Sequence, residues 1–308
     1  MRLSTRLSSF DATLVAQYNS MLSIMNVKAS ELDLYTHRST ERNLRWKMDQ
    51  VAANDLCGLA VTPDGAGCWA VDREGEVYTL GDAAFLGSLK SYGITCGTPI
   101  VGIVSAAITS GYWIYSAAGD VYAFGNLPSY GALPEVGLSA DVQVVAMAAY
   151  GDASAYCLLN AAGDVFTFGD MKNVGSIPQE GIILSDPAVG IMLGDVDSPG
   201  YLIVDSRGEV YTFGELWFRG SMPAEQAYRE APVVDILPFR STAQEGYRMV
   251  VADGSIYCFN APFYGAPIGN MLGENIVAAA GDPVDKDGYY LLSDAGEIFC
   301  YDINSDHR

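Results

Sequence analysis

Histidine is nearly missing from this 308-residue sequence: His37 and His307 are the only two, and both lie near its ends. A Ser-His-Asp or Cys-His arrangement in the central part of the chain is thereby excluded, as is a His-ligated zinc. Basic residues are scarce too, with 17 Lys and Arg against 37 Asp and Glu, a formal net charge of −20 and a pI of about 4.2. Nucleic acids and anionic membrane surfaces are bound through Lys and Arg that neutralise phosphate, so neither is an expected partner. There is no run of 18 uncharged apolar residues, and therefore no expected membrane span. Polar residues after Arg2 and Arg6 interrupt any apolar leader core, so a Sec-type signal is not expected. The six cysteines contain no C-x-x-C pair. Neither G-x-S-x-G, H-E-x-x-H, a P-loop nor a complete G-x-G-x-x-G occurs, and no cofactor is expected.

What is abundant is apolar surface and glycine: 50% of residues are hydrophobic and 33 are Gly, enough for a large core punctuated by turns. Charge is unevenly spread. Residues 1–50 carry seven basic and five acidic side chains, while residues 51–308 carry ten and thirty-two, so two regions of different character are expected.

One motif recurs six times: Gly75-Glu-Val-Tyr-Thr-Leu-Gly81, Gly119-Asp-Val-Tyr-Ala-Phe-Gly125, Gly163-Asp-Val-Phe-Thr-Phe-Gly169, Gly208-Glu-Val-Tyr-Thr-Phe-Gly214, Gly254-Ser-Ile-Tyr-Cys-Phe-Asn260 and Gly296-Glu-Ile-Phe-Cys-Tyr-Asp302. The first glycines lie 44, 44, 45, 46 and 42 residues apart, close to the length of one propeller blade. Eight residues before each stands a small residue that opens another strand, as in Gly67-Cys-Trp69 and Gly246-Tyr-Arg248. A Val/Ile-rich stretch precedes it, and a short aromatic segment closed by glycine follows the motif. Four short β-branched or aromatic runs per repeat predict a four-stranded antiparallel meander. In the third strand Val121 and Ala123 face one way and Tyr122 and Phe124 the other, so both faces are apolar and each sheet must stack between neighbours.

The expected fold is therefore all-β, a six-bladed β-propeller of about 44-residue repeats spanning residues 44–308. Only six residues follow Asp302, leaving the last repeat without its own fourth strand, whereas Leu44, Trp46 and Met48 alternate with charges in period two. Residues 44–49 are expected to pair with the last repeat and close the ring, removing an exposed edge. In residues 1–43 the period changes: Leu14, Tyr18, Met21 and Met25, spaced 4, 3 and 4, describe an apolar helical stripe. This arm is expected to hold a protein partner or further copies of the chain, or to pack on its own propeller.

Candidate chemistry is sparse. Cys258 and Cys300 occupy the slot of Thr79, Ala123, Thr167 and Thr212, and Cys157 that of Trp69 and Trp113, which marks all three as packing residues. Asp282-Pro-Val-Asp-Lys-Asp-Gly288 sets Asp282, Asp285 and Asp287 ahead of a glycine, as calcium loops do. The loop lacks a Glu at its twelfth position, and turn chemistry explains it without a metal. Asp82, Asn126, Asp170 and Glu215 follow the motif's second glycine in successive repeats. They offer a ring of polar groups for a cation or sugar hydroxyl, or caps for their own tight turns. Trp217, Phe218 and Arg219 replace smaller residues of other repeats, such as Ala84 and Ser129, and have the composition of an interface hot spot or of inter-blade packing.

Leu59-Ala-Val-Thr-Pro-Asp-Gly-Ala-Gly-Cys-Trp-Ala-Val71 and Gly75-Glu-Val-Tyr-Thr-Leu-Gly-Asp-Ala-Ala-Phe-Leu-Gly-Ser88 resemble the β-propeller repeats of actinobacterial extracellular proteins, over roughly residues 50–302. They are distantly similar to the RCC1 type, from which Gly87-Ser-Leu and Gly131-Ala-Leu depart at the Gly-Gln-Leu-Gly ending. The resemblance implies a binding or scaffolding module and supplies no catalytic residue. Together with the missing leader it points to a virion component, a tail or fibre protein of a phage, with surface loops that bind a host-surface glycan or a neighbouring protein. Two alternatives are a secreted or cell-wall ligand-binding propeller, and a glycan hydrolase or lyase using Asp195 and Asp197 as acid and base.

Overall fold

The computed structural model describes residues 55–137, 142–194, 199–222, 231–241, 244–268, 273–283 and 288–301, and the backbone of 44–47. The expected helical stripe of Leu14, Tyr18, Met21 and Met25 lies outside the described residues, as do His37, His307, Asp195, Asp197, Asp285 and Asp287. Leu44 begins the compact unit that contains all described residues.

The described chain is all-β, broken only by single 3-10 turns such as Lys90–Tyr92, Pro134–Val136 and Pro178–Glu180. Six antiparallel sheets follow one another, one per sequence repeat. Their first strands are Leu56–Val61, Ile100–Ser105, Val144–Ala149, Ala188–Leu193, Val233–Arg240 and Ile276–Gly281. The second strands are Gly67–Asp72, Gly111–Ser116, Ala155–Asn160, Gly200–Asp205, Glu245–Val251 and Tyr289–Ser293. The third are Val77–Gly81, Val121–Gly125, Val165–Gly169, Val210–Gly214, Ile256–Phe259 and Glu297–Tyr301. Five sheets have three strands; the sixth has a fourth, Leu44–Lys47, antiparallel to Glu297–Tyr301 with Leu44 opposite Cys300 and Lys47 opposite Glu297.

Three strands per repeat, in place of the expected four, have a local cause. The aromatic segment after the third strand spends its polar main-chain groups on the next repeat. The Leu86 N–H donates to the Tyr112 hydroxyl at 3.2 Å, and that hydroxyl donates to the Gly87 carbonyl at 2.6 Å. Tyr156 does the same with Tyr130 and Gly131, Tyr247 with Arg219 and Gly220, and Tyr289 with Tyr264 and Gly265. Tyr201 likewise donates to the Gly175 carbonyl. Backbone groups engaged in this way cannot ladder onto the third strand, and the glycines that close the segment sit at φ of 117° to 140°, as Gly131 and Gly265 do, off any β-strand.

The apolar faces meet as the period-two pattern requires. Each of six hydrophobic clusters is shared by two neighbouring repeats. Five join consecutive repeats, and one joins the sixth to the first through Leu56, Leu59, Val61, Cys68, Tyr290, Leu292 and Ile298. First strands follow the same cycle: each packs on the next, and Ile276–Gly281 packs on Leu56–Val61. The tyrosine of each second strand lies 5.4 to 5.6 Å, centroid to centroid, from the aromatic residue near the end of its own third strand in repeats two to six. The first repeat has Cys68 in that place, and its junction with the sixth is instead tied by the Tyr290 hydroxyl, which donates to the Gly65 carbonyl at 3.1 Å.

Candidate functional site

Asp82, Asn126, Asp170 and Glu215 all have exposed side chains. Their main-chain N–H groups make the same bond in each repeat, to Ala66, Ser110, Ser154 and Pro199 at the preceding hairpin turn. They mark equivalent corners of four repeats. Trp217 and Phe218 are 69% and 53% exposed, and the Arg219 guanidinium lies 6.0 Å from the Trp217 ring centroid. These aromatics cover no core; they form an outward patch on the fourth repeat. Asp282 is buried, its N–H bonded to the Gly288 carbonyl as a turn requires. Among the described residues no group of three or more His, Cys, Asp or Glu could hold a metal.

The cysteines are all free. Burial pushes the thiols of Cys57, Cys68, Cys157 and Cys258 up to about 12, which removes the thiolate a nucleophile needs near neutral pH.

One concavity was not anticipated. A cavity of about 630 Å³ is lined by the first strands of all six repeats. Each of these strands is the edge of its sheet, so main-chain N–H and C=O groups on the unpaired side must find water or a ligand. The side chains around them are mostly apolar, including Val101, Val104, Ala148, Leu237 and Ala280.

One register position controls the cavity's chemistry. Every first strand carries a bulge against its second strand, between Leu56 and Gly58, Ile100 and Gly102, Val144 and Ala146, Ala188 and Gly190, Val233 and Asp235, and Ile276 and Ala278. The residue just past the bulge is therefore Gly58, Gly102, Ala146, Gly190, Asp235 or Ala278. Small residues belong there because neighbours approach closely: a Cβ on Gly58 would stand 2.7 Å from the Ile103 nitrogen of the next first strand, and one on Gly102 2.5 Å from the Tyr115 hydroxyl of its own second strand. Asp235 alone breaks the series, and it lines the cavity. Its Oδ1 accepts the Ile236 N–H at 2.8 Å. Burial pushes its carboxyl up to about 7, against which that one hydrogen bond works. Tyr115, from the second repeat, lines the same cavity; burial first and the Asp235 charge second raise its phenol far above the ordinary value.

At the far end of the same first strand the Arg240 Nη2 donates to the Leu193 carbonyl at 2.9 Å. Burial lowers its affinity for a proton and Glu245 restores part of it. Asp152 and Asp282 also line the cavity, so acidic groups border its end near the first hairpins. The signal for Asp235 was present in the sequence as the misfit of a vertical series Gly, Gly, Ala, Gly, Asp, Ala, visible once the first strands are aligned by their bulges.

No protein-family model and no curated protein matches this chain. No helix among the described residues is long and apolar enough to cross a membrane.

Proposed function

We propose that residues 44–308 are a six-bladed β-propeller closed by Leu44–Lys47, and that it works as a non-catalytic binding and assembly module. The observation that carries this reading is the cyclic sharing of six cores, which makes a rigid disc with edge strands around a cavity and loops on two faces. The thiols of Cys57, Cys68, Cys157 and Cys258, driven by burial out of the thiolate range, and the exposed Trp217, Phe218 and Arg219 patch favour recognition over covalent chemistry. The setting we propose is a virion tail or fibre, supported by the likeness of the repeats to extracellular propeller repeats. Residues 1–43 then attach the disc to a neighbouring protein or to copies of the chain.

Particles released by lysis of the source culture test the setting: mass spectrometry of purified particles finds the chain in stoichiometric amount, and its absence there overturns the virion reading. Binding is tested separately, by capturing neighbouring proteins or host-surface glycans with the full chain and with Trp217→Ala. Capture that depends on Trp217 supports the patch as the recognition surface, and unchanged capture removes it.

A further inference from the structure

We infer that the cavity between the six first strands is a binding site for a small organic cation, an ammonium group on an apolar body, with the carboxylate of Asp235 as its counter-ion. The inference stands on the cavity and not on the virion setting, so either can fail with the other intact.

Four observations converge on that chemistry. The cavity, about 630 Å³, lies within the size range of small-molecule sites, and its side-chain walls are largely apolar. A carboxyl stands at the one bulge position where the other five repeats carry Gly or Ala, so it is specific to this site and not a feature of the repeat. Among the described residues no cationic side chain meets it: the flanking first strands bring Val189, Gly190 and Ile191 on one side and Val277, Ala278 and Ala279 on the other, while Arg240 is engaged with the Leu193 carbonyl. The Asp235 charge acts on the Tyr115 phenol, as does that of Cys57, and burial holds both the phenol and the thiol neutral. A buried carboxylate without a cation is costly, and an ammonium that enters the cavity removes that cost. Main-chain carbonyls of the edge strands accept its remaining N–H groups, and the apolar body displaces water from the Val and Ala walls. Asp152 and Asp282 by the hairpin end, on a region as acidic as residues 51–308, draw cations toward the opening.

The test is calorimetric titration of the full-length chain with n-hexylammonium, set beside n-hexanol and n-hexanoate. Hexylammonium is expected to bind, hexanol at least tenfold more weakly and hexanoate not at all. Asp235→Asn keeps the shape of the side chain and is expected to lose tenfold or more, whereas Glu180→Gln, an exposed carboxylate elsewhere, leaves the affinity unchanged. Because the ligand takes the ionised carboxylate, affinity rises about tenfold from pH 6 to pH 8 while the amine stays protonated. Equal binding by Asp235→Asn, equal binding of hexanoate, or no binding by the wild-type chain overturns the inference. So does a calcium or potassium salt that alone gives the same Asp235-dependent heat, since the site then belongs to an inorganic ion.

Discussion

The fifth repeat and its five sisters share one scaffold and differ where side chains meet the interior. In the first two repeats Trp69 and Trp113 fill the second-strand slot and donate from Nε1 to the Ala84 and Pro128 carbonyls, each at 2.8 Å. The fifth repeat puts Arg248 there, fully buried, and its Nε makes the matching bond to Pro262 at 2.9 Å. Among the described residues its terminal nitrogens find no oxygen acceptor, and the guanidinium carbon lies 5.1, 5.2 and 5.0 Å from the ring centroids of Phe239, Tyr264 and Tyr289. The same repeat carries Asp235 for Gly or Ala, lengthens its first strand to eight residues, and holds Asn260 at φ 51° where the first four repeats use glycine. Four departures from the repeat rule fall in one blade-sized unit. The repeats that keep the pattern hold the scaffold, and the one that departs from it brings charged side chains to the cavity and the core.

The comparison is broken most directly at Arg248. Arg248→Ala empties a packed slot and removes three cation–π contacts, and is expected to lower unfolding free energy by about 3 kcal/mol or more. Arg248→Trp, which restores the residue of the first two repeats and its donor to Pro262, should recover over half of that in a urea titration. A loss of under about 0.5 kcal/mol for Ala removes the claim that the slot is filled for packing.

Asp235 gives the next effect, and its sign is specific. The folded carboxyl titrates at about 7, above the ordinary value of 3.8, so the folded state holds the extra proton between those values. Stability contributed by the protonated group is thus complete below the unfolded value and is lost as pH rises through about 7. Asp235→Asn should therefore be more stable than the wild-type chain by roughly 2–4 kcal/mol at pH 8, with the difference nearly gone at pH 4. Thermal melts across that range measure it; a constant difference means the carboxyl is solvated.

Tyr247→Phe strips one hydroxyl from the Arg219 N–H and the Gly220 carbonyl and should cost about 1–3 kcal/mol. Tyr156→Phe should cost the same within error, because this tie is common to the repeats. Trp217→Ala, by contrast, removes an exposed ring and should change stability by less than about 0.5 kcal/mol while abolishing partner capture.

The repeat period, both apolar faces and the pairing partner of residues 44–47 were readable from spacing alone, because a six-fold pattern averages out the noise of any single segment. The fourth segment was misread as a strand, since aromatic residues ending in glycine look β-like until the next repeat's tyrosine is seen to take their main-chain groups. Trp217 and Phe218 were legible as misfits in size. Asp235 was a misfit too, but the bulge that puts it in line with Gly58 and Gly102 is a backbone feature with no residue signature of its own. Arg248 stood in the sequence only as part of the triplet Gly246-Tyr-Arg248, because its three rings come from Phe239, Tyr264 and Tyr289 in two different repeats.

The pairing of Leu44 with Cys300 joins positions 256 residues apart. Five of the six shared cores can form between neighbours as the chain emerges from the ribosome, each from local contacts. The core between first and sixth repeats, and the strand Leu44–Lys47 beside it, must wait until the last third-strand residues have been made. During that wait the outer edge of the sixth sheet is unpaired. Folding should accordingly show a late, topologically slow phase whose rate is set by the chain finding its own beginning, and nascent chains held at that stage are the ones most exposed to pairing with each other.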